Sequence, residues 1–325
     1  MRGRPSRRDI LVSGAGAAAA SLLSAPAIAQ SWLPNKPIRM IIGDAPGGGT
    51  DQVCRVFIEY LTKALGQPVL ADNRPGANGV VAATELKNAA PDGYTLLEGA
   101  STSFTVLPNQ RELRYSMDSF EVAGGIADYI AVMAVRKSLA VKTVKELIEY
   151  GKQNPGKLTY GSAGELSAGH MFGGRLAHDT GISLLHIPFG GSAAAVNALV
   201  AGDIDIVIDG AVTPMVKADR VRPLATFYRS RHPELPDVPS LEETGYKVIL
   251  TKARGWALMA PKGTPAPIMA RLSDAMQKAL ADPALAKAFL RGNSIASYQS
   301  PADYRTSVAV DRKMYGELLS IMAKK

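Results

Sequence analysis

Three loops concentrate glycine and hydroxyl side chains directly ahead of a helical pattern. Asp44-Ala45-Pro46-Gly47-Gly48-Gly49-Thr50-Asp51 follows the apolar run Ile38-Arg39-Met40-Ile41-Ile42, and Gly161-Ser162-Ala163-Gly164-Glu165 follows Leu158–Tyr160. Pro188-Phe189-Gly190-Gly191-Ser192 follows Leu184–Ile187 in the same way. A helix start carries backbone N–H groups without intrahelical partners and the positive end of the helix dipole, which together attract an anion. Glycine lets a ligand approach the chain closely, and Thr50, Ser162 and Ser192 add hydroxyl donors. Any one of these loops is equally well a βα turn that needs glycine for its geometry, but three of them argue for an anion site. On this reading Gly48 and Gly49 lack side chains because a Cβ would fill ligand space or forbid a positive φ.

The same residues exclude other chemistries. Gly47-Gly48-Gly49-Thr50-Asp51-Gln52 lacks the last glycine of a dinucleotide fingerprint. Gly151–Leu158 resembles a phosphate loop but ends in Leu158 where Ser or Thr is required, and it precedes a strand rather than following one. Gly190-Gly191-Ser192-Ala193-Ala194 misses the nucleophile elbow by its final residue. The four histidines, His170, His178, His186 and His232, show no metal-ligand spacing. His170 and His178 read as one helix face, and Cys54 as a small core residue. Binding is therefore favoured over turnover, with no cofactor and no metal; the rival is a secreted α/β hydrolase using Ser192 or Ser162.

Short β-rich runs alternate with longer helical patterns and must position these loops. Strands are expected at Ile38–Ile42, Val69–Ala71 and Tyr94–Leu97, with helices at Asp51–Leu65 and Val80–Asn88 between them. A second series places strands at Ile130–Val135, Leu158–Tyr160, Leu184–Ile187, Ile204–Ile208, Leu224–Thr226 and Trp256–Ala260. Its helices are Val144–Lys152, capped by Thr143, then Ser167–Thr180, Ala193–Ala201, Ala266–Ala281 and Pro301–Ala323. Alternation of this kind predicts α/β units with parallel sheets and helices on both faces. Crossover strands near Ile130–Val135 and Arg254–Ala260 would act as a hinge. They divide the chain into a discontinuous first domain, 30–130 and 255–325, and a second domain, 131–254.

With 325 residues, 46% of them apolar and 20% charged, the chain has material for two cores. One cysteine excludes an internal disulfide framework. The net charge of +8 is partly a property of the first 29 residues, which hold four arginines and one aspartate; the remainder carries +5. With aromatics at 6% and no long basic run, nucleic acid is not the expected partner. Arg7-Arg8, the apolar stretch Val12–Leu23 and the small-x-small pattern Ala27-Ile28-Ala29 read as an export signal cleaved after Ala29, twin-arginine-like in its opening. The stretch is too short for a membrane span. An exported, periplasmic protein without stable membrane insertion is expected.

Several motifs taken in order resemble the Bug family, the extracytoplasmic solute-binding receptors of tripartite tricarboxylate transporters. They are Pro46–Asp51, Asn73-Arg74-Pro75-Gly76-Ala77, Ala90–Leu97, Asn154–Gly164, Ala201-Gly202-Asp203-Ile204-Asp205, Leu235–Ser240 and Ala260–Pro265. The resemblance implies a two-domain periplasmic-binding-protein architecture of type II, a Venus flytrap that closes on a small carboxylate. It also implies delivery of that ligand to a two-subunit permease or a sensor, by a monomeric receptor. Carried over residue by residue, first-domain donors are Gly48, Gly49 and Thr50 with Ser101 and Thr102. Second-domain donors are Ser162, Ala163, Gly164 and the Phe189, Gly190, Ser192 loop, with Asp209 at the cleft wall; apart from the resemblance, Arg254 is a further ligand-binding candidate.

Asp44 departs from the family, which often has an aromatic or proline-rich approach at this point. It would repel a second ligand carboxylate and favour an acid bearing an ammonium, amide or hydroxyl group. Alternatively Arg254 or Lys252 neutralises it, or its side chain caps a turn.

Overall fold

The computed structural model describes residues 32–246, 251–252 and 254–322. The export signal read at residues 1–29 lies outside them. Strands β1 (Ile38–Ile42), β2 (Val69–Asn73), β3 (Thr95–Ala100) and β4 (Phe120–Tyr129) belong to a first sheet. Strands β5 (Ala131–Arg136), β6 (Leu158–Ser162), β7 (Leu184–Pro188), β8 (Ile206–Asp209) and β9 (Val221–Phe227) form a second. The chain then returns to the first sheet with β10 (Trp256–Pro261) and β11 (Ser294–Gln299). The strand orders are β11-β4-β10-β3-β1-β2 and β7-β6-β8-β5-β9. Each sheet is the centre of one lobe of this α/β fold.

The expected parallel pairing holds for β1 with β2 and β3, and for β6 with β7 and β8. Both sheets are nevertheless mixed. β10 runs antiparallel to β3 and β4, and β5 runs antiparallel to β8 and β9. These strands link the two sheets, so no right-handed helical crossover dictates a parallel direction for them. The first crossing begins ten residues before the expected one, because β4 runs from Phe120 to Tyr129 and only Ile130 separates it from β5.

The sequence pattern missed β4 and β11, and the helices at Thr102–Thr105, Thr213–Lys217 and Pro283–Arg291. In β4 the pair Gly124-Gly125 reads as a break, yet both glycines are required there. A Cβ on Gly125 would lie 2.7 Å from Cγ of Arg254, and one on Gly124 would lie 2.8 Å from the carbonyl of Gln299. Irregular pairing of β4 with β10 and β11 brings those backbones this close.

Helices α1 (Gly49–Leu65), α2 (Val80–Lys87), α3 (Thr102–Thr105) and α4 (Val144–Gln153) are followed by α5 (Ala168–Thr180), α6 (Ser192–Ala201) and α7 (Thr213–Lys217). Helices α8 (Ala266–Leu280), α9 (Pro283–Arg291) and α10 (Pro301–Met322) close the chain. In α1, Val53, Cys54, Phe57, Leu61 and Leu65 are buried at helical spacing, and Gly66 in the left-handed conformation ends it. Thr143 caps α4 by accepting the Glu146 N–H. Helix α10 serves both lobes. Tyr304 and Val308 pack with Phe120 and Ala257 of the first sheet, while Tyr315 and Leu318 pack with Met171 of α5.

Candidate functional site

The three glycine loops end their strands at the cleft between the sheets. A cavity of about 370 Å³ opens there, within the range of small-molecule sites. Of the residues expected in a site, Asp44, Gly49, Thr50, Ser101, Thr102, Ala163, Ser192 and Asp209 line it. Gly48, Ser162, Gly164, Phe189, Gly190 and Arg254 stand behind or beside the lining.

The first loop is built from its own polar groups. Asp51 accepts from the Gly47 N–H at 2.8 Å, from Arg55 Nε at 2.8 Å and from Asn73 Nδ2 at 2.8 Å. Asn73 also donates to the carbonyl of Asp44 at 2.9 Å, so the Asn73-Arg74-Pro75-Gly76 motif ties the loop down from the neighbouring strand. Burial works to raise the Asp51 pKa, but those hydrogen bonds outweigh it and hold the carboxyl below its ordinary range. Asp44 Oδ2 accepts the Thr50 N–H at 2.9 Å, which makes it a cap on the start of α1. Arg254 does not reach Asp44; it pairs with Asp128 at 3.0 Å, and the Lys252 N–H donates to Asp311.

Two expected donors are therefore engaged. The Thr50 N–H goes to Asp44, and the Gly48 N–H goes to the carbonyl of Ala45 at 3.0 Å. The glycine geometry is also redistributed. Gly48 has φ −68°, and the positive φ belongs to Gly47 at 84°. A Cβ on Gly48 would meet Asp44 at 3.0 Å, whereas one on Gly49, which lines the cavity, would meet nothing within 4 Å.

In the second lobe, Ser162 is 1% exposed and its Oγ donates to the carbonyl of Gly164 at 2.9 Å. Its Oγ also lies 2.7 Å from His186 Nε2, and His186 is stacked on His170 with ring centroids 4.0 Å apart. His170 is thus not simply part of a helix face: its Nδ1 accepts the Leu166 N–H at 2.9 Å and fixes the cavity loop. The Ser–His contact does not make a nucleophile. Burial, then His170, pushes the His186 pKa down to about 4, which leaves a weak base. No carboxylate hydrogen-bonds to His186 among the described residues, and Ser162 does not line the cavity. Ser192, the other nucleophile considered, donates to Asp209 at 2.8 Å. Phe189 packs beside Gly161 in the second lobe's core. Among the described residues no cluster of His, Cys, Asp and Glu could hold a metal ion.

Hydrogen bonds and one aromatic contact join the two walls. Trp256 Nε1 donates to Thr50 Oγ1 at 3.2 Å, and its ring meets Tyr129 edge-on. The Tyr129 hydroxyl donates to Asp209 at 2.8 Å and accepts the Gly210 N–H at 2.7 Å. Tyr228, just past β9, donates to Asp128 on β4 at 2.6 Å. Tyr129, Trp256, Tyr228 and Glu98 all line the cavity and were missed in the sequence. Only Glu98 left a signal there, as an acid inside the apolar run Thr95-Leu96-Leu97-Glu98. Burial pushes its pKa up to about 8; a hydrogen bond from the Cys54 thiol works against this, and the charges of Asp44 and Asp51 add to the rise.

Known proteins are similar to this chain in sequence and fold. A "UPF0065 protein in gbd 5'region" of Cupriavidus necator is 37% identical over 281 residues, which is 84% of this chain and 85% of that protein. An R. palustris protein solved with adipate is 28% identical, covering 88% of this chain and 97% of its own, with a TM-score of 0.76. MatC from Rhodopseudomonas palustris, solved with bound malate, is 26% identical over 88% of this chain and 99% of its own, with a TM-score of 0.72. The profile described as "Tripartite tricarboxylate transporter family receptor" matches residues 53–319. The chain therefore belongs to the tripartite tricarboxylate transporter receptor family, with the two-domain periplasmic-binding-protein fold.

Proposed function

We propose that this protein captures a small organic carboxylate between its lobes and delivers it to a two-subunit membrane permease or to a sensor. Its family is one of solute-binding receptors, and the protein is not an enzyme. The observation that carries the reading is the cavity itself. The starts of α5 and α6 face it with Ala168, Gly169 and Ser192, opposite Gly49 and Thr50 of the first loop. Related structures hold adipate and malate, which supports a carboxylate as ligand.

The domains in this reading are 30–130 with 255–325, and 131–254, moving about the β4–β5 and β9–β10 passages. The protein works as a monomer in the periplasm after removal of residues 1–29. No helix among the described residues is long and apolar enough to cross a membrane, in keeping with that reading. Thermal unfolding against a panel of small carboxylates tests it, because a ligand that binds only the folded state raises Tm with concentration. A panel without any concentration-dependent rise counts against carboxylate capture.

A further inference from the structure

The charged lining of the cavity is one-sided. Among the described residues it consists of Asp44, Glu98, Asp128, Glu165 and Asp209 against one cation, Arg229. Two of the acids are well partnered: Asp209 accepts from Tyr129, Ser192 and the Ala211 N–H, and Asp128 accepts from Tyr228 and Arg254. The wall around α1 is different. Asp44 sits on the helix start that would otherwise attract a ligand anion. Near it, Glu98 is 0% exposed, and neither of its oxygens meets a nitrogen or oxygen partner among the described residues; the polar group beside it is the Cys54 thiol. A buried carboxyl left in this state marks a place where a donor from a ligand is favoured.

The opposite wall offers donors instead. Helix α6 begins at Ser192 with no side chain capping it. In α5 the Ser167 cap reaches only the His170 N–H, so the first-turn N–H groups of Ala168 and Gly169 are left for the cavity they line.

We propose that the acid taken by this cavity carries one carboxylate and a cationic nitrogen. The carboxylate is held at the starts of α5 and α6, and the nitrogen faces the wall formed by Asp44 and Glu98. This rests on the carboxylate-capture reading above. It adds a polarity that adipate and malate, with a carboxylate at each end, do not have.

The surroundings of Glu98 give the proposal a separate signature. Helix α1 brings Asp51, Cys54 and, paired to Asp51, Arg55; the first loop brings Asp44; the flanking strands bring Ile42 and Leu258. In these surroundings Glu98 keeps its proton at neutral pH. A cation arriving beside it favours the carboxylate, so binding expels a proton to the buffer.

Titration calorimetry on the purified protein at pH 7.5, in HEPES and in Tris, compares matched probes: 4-aminobutanoate with succinate, and 6-aminohexanoate with adipate. The expected result is at least tenfold tighter binding of the amino acid of a pair, with an enthalpy that changes between buffers as protons are released. Glu98→Gln should remove the buffer dependence and narrow the preference. If Glu98→Gln fails to fold, wild-type preference and proton release still decide the matter. Dicarboxylates that bind as tightly or more tightly, or a buffer dependence unchanged in Glu98→Gln, would overturn the proposal and leave carboxylate capture standing. Failure of all four acids to bind would overturn both.

Discussion

Above about pH 4.5 an unfolded chain loses the Glu98 proton, whereas the folded protein keeps it to about pH 8. The folded state then binds more protons, so the stability linked to this group falls as pH rises through that window and levels beyond it. At about 1.4 kcal/mol per pKa unit the whole loss is of the order of 5 kcal/mol. Glu98→Gln should therefore gain stability over wild type by an amount that grows between pH 5 and pH 9, read as urea midpoints at the two pH values. A constant difference would mean that Glu98 does not titrate as described. Gly49→Val makes the complementary test at the cavity. No atom lies within 4 Å of the added Cβ, so the variant should unfold near the wild-type midpoint yet bind its ligand at least tenfold more weakly. Unchanged affinity in a folded Gly49→Val protein removes Gly49 from the ligand wall. That loop was legible in its glycines and Thr50, but the capping role of Asp44 was not. It depends on where the chain turns in space, and the sequence weighed repulsion of a ligand carboxylate against neutralisation or capping without deciding between them.

Among the elements, the passage from β4 to β5 carries Tyr129 and Asp128, each hydrogen-bonded across to the second sheet's chain segments. Tyr129→Phe removes one hydroxyl but two hydrogen bonds, to Asp209 and from the Gly210 N–H. The Gly210 N–H would be left without this partner, so a loss of about 1–3 kcal/mol is expected in chemical denaturation. A smaller change than about 0.5 kcal/mol would mean that water takes over both bonds. The inner parallel strands β1, β3 and β8 were readable because their apolar runs report burial on both faces. β4 was not readable, since Gly124 and Gly125 serve contacts with Arg254 and Gln299, more than a hundred residues away.

For the whole molecule, the two passages between sheets predict an open–closed equilibrium that ligand biases through contacts made only when closed. Small-angle scattering with saturating ligand should show a smaller radius of gyration than without it, and an unchanged radius argues for a rigid cleft. Helix α10 would restrict such a motion, because its first half packs on one lobe and its second half on the other. Local order along the chain determined the alternation of strands and helices, the three helix-start loops and the family motifs, since each depends on residues close in sequence. Tertiary structure alone decided the polarity of the site. The Tyr129–Asp209 bridge, the Arg254–Asp128 pair and the burial of Glu98 against α1 join residues 44 to 126 positions apart. Whether each charge ends up paired or alone depends on how the sheets come together, and no spacing within one segment records that.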